Sequence, residues 1–62
     1  MKYAFKIHNR KKQFATHKWV TTHLARDTYY FWRNPTNDPD DVFWQWEFRN
    51  EVDLLMCKLG TL

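Results

Sequence analysis

The sequence predicts a small α+β protein in which an antiparallel sheet carries two helices on one face, in the order βαββα. Three observations point there. Apolar and polar residues alternate near the N-terminus and again over residues 42–49. A stripe of helical period follows near the C-terminus. A stretch rich in Pro, Asn and Asp separates two strand-like segments.

Tyr3, Phe5 and Ile7 alternate with Lys2, Ala4, Lys6 and His8, which predicts a strand over residues 2–8 with one apolar and one basic face. Asn9 to Gln13 are consecutive polar residues and read as a solvated turn or loop. Thr16 then serves as the N-cap of a short helix running to about Ala25. With about 100° between successive residues, Ala15, Trp19, His23, Val20 and Leu24 share one side of it. His23 falls inside that stripe and is expected to be hydrogen-bonded and partly buried. The rival reading of residues 12–20 is a hairpin with the first strand.

Thr28 to Arg33 are rich in β-formers and too short for a helix, which predicts a strand over residues 28–33. The two prolines, two asparagines and three aspartates of Asn34 to Asp41 predict a loop. Val42, Trp44, Trp46 and Phe48 then alternate with Phe43, Gln45, Glu47 and Arg49, the clearest strand of the chain. A helix over residues 50–59 follows. Asn50 is its N-cap, and Glu51 and Asp53 sit where the positive end of the helix dipole favours anions. Val52, Leu55, Met56 and Leu59 form its expected core stripe, with Cys57 packed beside them. Lys58 occupies the last turn, and Gly60 is expected just past the helix end. This order resembles a ferredoxin-like βαββαβ unit lacking its last strand. The first strand then becomes a sheet edge able to accept a partner strand.

A chain of 62 residues has room for one domain, spanning residues 1–62. So small a domain hides a modest share of its surface and needs extra stabilisation. A single cysteine rules out an intrachain disulfide. Aromatic packing and self-association remain, and twelve of the 62 residues are Phe, Trp or Tyr. That is more than such a core needs, so some rings are expected on a contact face.

The charge is unevenly placed. Residues 1–26 hold seven Lys or Arg and no acidic residue, whereas residues 27–62 hold three against seven Asp or Glu. Mutual neutralisation of the two halves on folding is preferred over a dedicated basic surface. No secretory leader pattern and no run approaching about 18 apolar residues is visible. A soluble, cytoplasmic protein without a membrane partner is expected.

Little in the sequence suggests catalysis. His8, His17, His23 and Cys57 lack the close-spaced pairs of a zinc site. The lone glycine excludes a phosphate-cradling loop, and Asp38, Asp40 and Asp41 lack the glycine and terminal glutamate of a calcium loop. Neither an enzyme nor a cofactor is expected.

The open face of the sheet is the better candidate. If the apolar alternates face the helices, then Lys2, Lys6, His8, Phe43, Gln45, Glu47 and Arg49 face outward. The strand at 28–33 adds either Tyr29, Phe31 and Arg33 or Thr28, Tyr30 and Trp32. The first set is preferred because Arg33 then reaches water. The expected binding face is therefore Lys2, Lys6, Tyr29, Phe31, Arg33, Phe43 and Arg49. Cations and rings on an open sheet also suit single-stranded nucleic acid, and the layout resembles an RNA-recognition motif. Residues 42–49 lack that family's glycine, however, and Glu47 brings a negative charge. Protein binding is preferred, with a second copy of the chain, paired through the free edge or the aromatic face, as a further partner.

Two segments, Phe5-Lys6-Ile7-His8 and Phe48-Arg49-Asn50-Glu51-Val52-Asp53 with Lys58-Leu59 behind it, resemble short accessory proteins of tailed marine cyanophages. The resemblance covers under a third of the chain and brings no site residues with it. It implies a phage accessory protein acting in the cytoplasm of an infected cell by binding a host protein.

Overall fold

Asn9 fixes the start of the first helix. In the computed structural model, which describes residues 3–62, its side-chain oxygen accepts the backbone N–H of Lys12 at 3.0 Å. That bond satisfies one of the donors a helix leaves orphaned at its N-terminus. The chain then runs β1 (Tyr3–Ile7), α1 (Arg10–His23), β2 (Tyr29–Arg33), β3 (Trp44–Phe48) and α2 (Glu51–Gly60). Single 3-10 turns at Arg26–Thr28 and Pro39–Asp41 precede β2 and β3.

The expected order βαββα holds, and the start, the cap and the inward face of α1 are corrected. The polar run after Asn9 is its first turn rather than a loop, because Arg, Lys and Gln are good helix formers once a cap is in place. Thr16 is not the cap. It is buried in mid-helix, and its hydroxyl donates back to the Lys12 carbonyl at 2.7 Å. Residues 12–20 are helical, which excludes the hairpin reading. The inward face is also rotated from expectation. Thr16 and Val20 are buried and Trp19 and Leu24 half-buried, while Ala15 and His23 are exposed. The His23 ring nonetheless finds partners on its own helix, stacking on Trp19 at 4.6 Å with Nδ1 2.8 Å from the Trp19 carbonyl oxygen.

The sheet order is β1-β3-β2, with both pairings antiparallel. β1 lies at an edge as expected, β2 at the other, and β3 is central. The register aligns Tyr3, Phe48 and Tyr29 in one row, Phe5, Trp46 and Phe31 in the next, and Ile7, Trp44 and Arg33 in the third. Paired residues share a face of the sheet, so these nine side chains project to one side. Both helices pack on that side. The buried cluster of Ile7, Val20, Trp46, Phe48 and Cys57 joins the sheet to α1 and α2, with Tyr3, Phe5, Trp19, Leu24, Tyr29 and Leu54 packed around it.

Rings supply most of the core's bulk. Trp46 and Phe48 are wholly buried. A ring of 150–250 Å² at about 25 cal/mol per Å² contributes about 4–6 kcal/mol as an upper bound. The Trp46 indole N–H is not stranded there, since it donates to Gln13 Oε1 of α1 at 2.7 Å.

α2 forms where expected but turns a different face inward. Cys57 is buried and Leu54 half-buried, whereas Val52, Leu55, Met56 and Leu59 are 63%, 49%, 50% and 70% exposed. Two contacts with α1 set this rotation. Gly60 is the last helical residue rather than a left-handed residue beyond the end, and a Cβ there would overlap the indole of Trp19. The Lys12 ammonium donates to the Thr61 carbonyl at 2.6 Å, placing a cation at the negative end of the helix. Asn50 stands at the N-cap position without bonding the backbone; its amide donates to Asp53 Oδ2 at 3.3 Å.

Asn34 clasps the loop between β2 and β3. Its side-chain oxygen accepts the Phe43 N–H at 2.8 Å, its amide donates to the Asp41 carbonyl at 2.5 Å, and its own N–H donates to the Phe43 carbonyl at 3.2 Å. Val42 and Phe43, expected in the strand, are taken up by this clasp.

The Trp46–Gln13 bond is open to a double-mutant cycle. Gln13→Leu keeps the packing and leaves the indole N–H unmet, and is expected to cost about 1–3 kcal/mol in urea unfolding followed by circular dichroism. Trp46→Phe is expected to cost about 2–4 kcal/mol. The double variant should lose less than the sum by about 1 kcal/mol; strict additivity would mean that the bond carries no weight.

Candidate functional site

The face of the sheet turned away from the helices carries the alternates of the three strands. Alternation and register place Ala4 and Lys6 of β1, Gln45 and Glu47 of β3, and Tyr30 and Trp32 of β2 there. Phe43, just before β3, reaches the same face. Its ring lies 4.7 Å under the Lys6 ammonium, meets Trp32 edge-on at 5.8 Å and is tilted against His8 at 5.9 Å. Tyr30 is 56% exposed, Trp32 and Phe43 are half-buried, and Lys6 and Arg49 are open to solvent at the margin.

Glu47 sits in the middle of this surface. Its Oε2 accepts the Trp32 indole N–H at 2.9 Å and lies 3.5 Å from the Gln45 amide. The Trp32 bond is the largest of the causes that hold its carboxyl below the ordinary value of 4.5. Glu47 is therefore an anion at neutral pH, set among aromatic edges.

Of the seven residues expected on the binding face, Lys6 lies there by register and Phe43 by its contacts, Arg49 is exposed just past the end of β3, and Lys2 falls outside the described residues. Tyr29, Phe31 and Arg33 do not. Their register partners Phe48, Trp46 and Trp44 belong to the helix side. Phe31 stacks on Trp46 at 4.4 Å with the planes 15° apart, and His17 of α1 meets it edge-on at 5.4 Å. Arg33 does reach water, but at the helix-side margin. There it lines a shallow groove of about 450 Å³ with Arg10, Gln13, Phe14, His17 and Trp44. The places on the open face belong to Tyr30 and Trp32, the set passed over. The signal that favours them is the Trp32–Glu47 pairing, an indole donor meeting a carboxylate acceptor on the same face of adjacent strands.

The outer edge of β1 borders a second open groove of about 410 Å³. Phe5, Ile7, His8, Lys12, Lys58 and Leu62 line it, and the Lys58 ammonium lies 5.4 Å over the Phe5 ring. Cys57 opens on neither groove. It is fully buried, and burial pushes its thiol up to about 11 against a modest opposing pull from the Lys12 charge. It stays a protonated thiol at neutral pH, packed as expected, and a poor nucleophile. Among the described residues no three His, Cys, Asp or Glu side chains gather to hold a metal ion. Among the same residues no helix is long and apolar enough to cross a membrane.

No protein family, curated sequence or solved structure matches this chain. The open face is thus interpreted from its own chemistry: the rings of Tyr30, Trp32 and Phe43, the last two in edge contact, with Lys6 over Phe43 and Glu47 between the strands.

Trp32→Phe tests the state of Glu47. A carboxyl whose folded pKa is depressed stabilises the fold at neutral pH and loses that contribution as pH falls through the folded value. Carboxyl NMR titration is expected to place Glu47 below 4.5 in the parent protein and closer to 4.5 in the variant. An unchanged midpoint would assign the shift elsewhere. Cys57 offers a parallel check: alkylation by iodoacetamide at pH 8 should be slowed at least about 100-fold in the native protein relative to the protein in urea.

Proposed function

We propose that the protein is a small non-enzymatic binding module whose open sheet face docks on another protein. The observation that carries this reading is the ring cluster of that face, in which Trp32 meets Phe43 edge-on and is tied to Glu47 through its indole N–H. A single strand of nucleic acid needs cations along its backbone and free ring faces for its bases. Here the rings of Trp32 and Phe43 meet edge to face and the Phe43 ring carries Lys6, so neither ring is free on both sides for a base. Protein interfaces, by contrast, favour an aromatic centre with charged residues at the rim. Tyr30 is the most exposed ring of this face and the natural anchor, with Trp32 and Phe43 beside it and Lys6 and Arg49 guiding approach. The complementary surface has an apolar pocket and an acidic border. In the setting that the phage resemblance implies, it belongs to a host protein in the cytoplasm of the infected cell, and binding acts by covering that surface.

The test is capture from host lysate followed by measured affinity for the captured protein. A partner that survives nuclease and 0.5 M salt supports the reading. Tyr30→Ala and Phe43→Ala should then each weaken binding by about 10-fold or more, and Lys11→Ala on α1 by less than about 3-fold. Loss of all partners under nuclease would transfer the face to nucleic acid. So would binding of a single-stranded oligonucleotide whose log affinity falls with log salt by about 0.7 per phosphate contacted.

A further inference from the structure

The outer face of α2 has no partner within the chain. Val52, Leu55, Met56 and Leu59 recur at helical spacing, directly opposite the Cys57 side that meets the core. All four are about half exposed or more, and Leu62 beyond the helix is 96% exposed. Single exposed apolar residues are ordinary, but four in register along one helix form a continuous strip about 10 Å long. Water is a poor occupant for such a strip, and the acidic and basic residues beside it indicate a better one.

Glu51 opens the helix and Lys58 closes it. Seven residues apart, they lie on the same flank of the strip, one at each end. When a second α2 is laid against the first in antiparallel orientation about a two-fold axis, the same flank of each helix comes together. Glu51 then faces the partner's Lys58, and Lys58 faces the partner's Glu51. Leu55 and Met56 lie nearest the axis and pack against their own images. Val52 faces Leu59 of the other copy. The two helix dipoles oppose, which is the favourable arrangement. A parallel pairing brings no opposite charges together and aligns the dipoles. The strip is thus complementary to itself in one orientation, which is what an isologous interface requires.

We infer that α2 is a homodimerisation helix, pairing antiparallel with the α2 of a second copy through Val52, Leu55, Met56 and Leu59, with two symmetric Glu51–Lys58 pairs setting the register. The strip is short. Two turns of helix bury less than the roughly 1,200 Å² at the lower end of stable interfaces, so the dimer is a weak one, with Kd on the order of 10 µM to 1 mM. Exposed ion pairs add little strength and act here by choosing the orientation. To reach Glu51 of the other copy, the Lys58 side chain swings away from the Phe5 ring. The interface does not use the sheet face, so it stands or falls independently of the function proposed above.

Sedimentation equilibrium from about 10 µM to 1 mM, with circular dichroism as the folding control, tests the inference. The parent chain is expected to be a monomer–dimer mixture in this range. Leu59→Glu, at an exposed position that the fold does not need, should weaken the dimer about 10-fold or more. Glu51→Lys places Lys against Lys in its own dimer, and Lys58→Glu places Glu against Glu. Each alone should weaken association about 3–10-fold. An equimolar mixture of the two restores both opposite-charge contacts in the heterodimer and should associate nearly as well as the parent. A monomer throughout, a dimer indifferent to Leu59→Glu, or a mixture no better than its components would each overturn the inference.

Discussion

The indole of Trp46 is the contact on which the rest of the molecule depends. It stands on the central strand, is fully buried, and touches each layer of the fold. Phe31 of β2 stacks on it, Phe48 and Tyr29 lie at 6.4 and 5.9 Å, and His17 of α1 meets it edge-on at 6.3 Å. Its N–H is the constraint with direction. A buried indole donor costs free energy unless an acceptor is supplied, and Gln13 supplies it from α1. The helix is therefore fixed along its axis relative to β3, in a way that apolar contact alone does not achieve. With α1 fixed, Trp19 and Lys12 are placed to receive the end of α2. The position of the second helix follows from the first, and that of the first from one hydrogen bond.

The open sheet face and the outer face of α2 are products of the same packing. The sheet gives the helices one side only, which leaves the other to Tyr30, Trp32, Phe43 and Glu47. The closeness of Gly60 to Trp19 turns Cys57 inward, which leaves the larger apolar residues of α2 outside. These two surfaces point in opposite directions across the thickness of the molecule. Occupation of one leaves the other accessible. A pair of copies joined through α2 would present two sheet faces, and two weak contacts with a clustered or repeated target combine through effective concentration.

The sequence was most informative where polarity alternates and least where it does not. β1 and β3 were legible because each places Lys, Gln or Glu between apolar residues. β2 reads Tyr-Tyr-Phe-Trp-Arg, apolar on both faces apart from its final residue, so its phase rested on Arg33 alone. Arg33 is the wrong guide, because at a strand end it reaches water from either face. The phase is set instead by the partner row, in which Phe31 meets Trp46. α2 poses the same difficulty in helical form. Leu54 and Cys57 make one apolar side and Val52, Leu55, Met56 and Leu59 another, and periodicity selected the larger. A close approach between Gly60 and Trp19, far apart along the chain, decided otherwise, and no local pattern encodes it. The start of α1 was legible in principle, since Asn9 is as good a cap as Thr16. The run of cations after it looked like loop only because cations at a helix N-terminus oppose the dipole.

The central place of β3 also has a consequence for the way the chain reaches this state. Its two neighbours lie at very different distances along the sequence. β2 is joined to β3 by a short loop that Asn34 fastens at both ends, so the pairing of Arg33 with Trp44 closes a small ring. β1 finds β3 across more than half of the chain, Ile7 with Trp44 and Tyr3 with Phe48. The entropy of loop closure makes the second pairing costlier by about 1 kcal/mol, and it must wait for α1 to fold back across the sheet. The β2–β3 hairpin with Trp46 stacked on Phe31 is thus the local nucleus, and β1 is the strand that joins late and leaves early. Amide exchange in the native protein reads that order directly, with β1 opening at lower free energy than β3. Whenever β1 is away, the central strand itself becomes an edge, and the strand that carries Trp44, Trp46 and Phe48 is briefly available to pair with another chain.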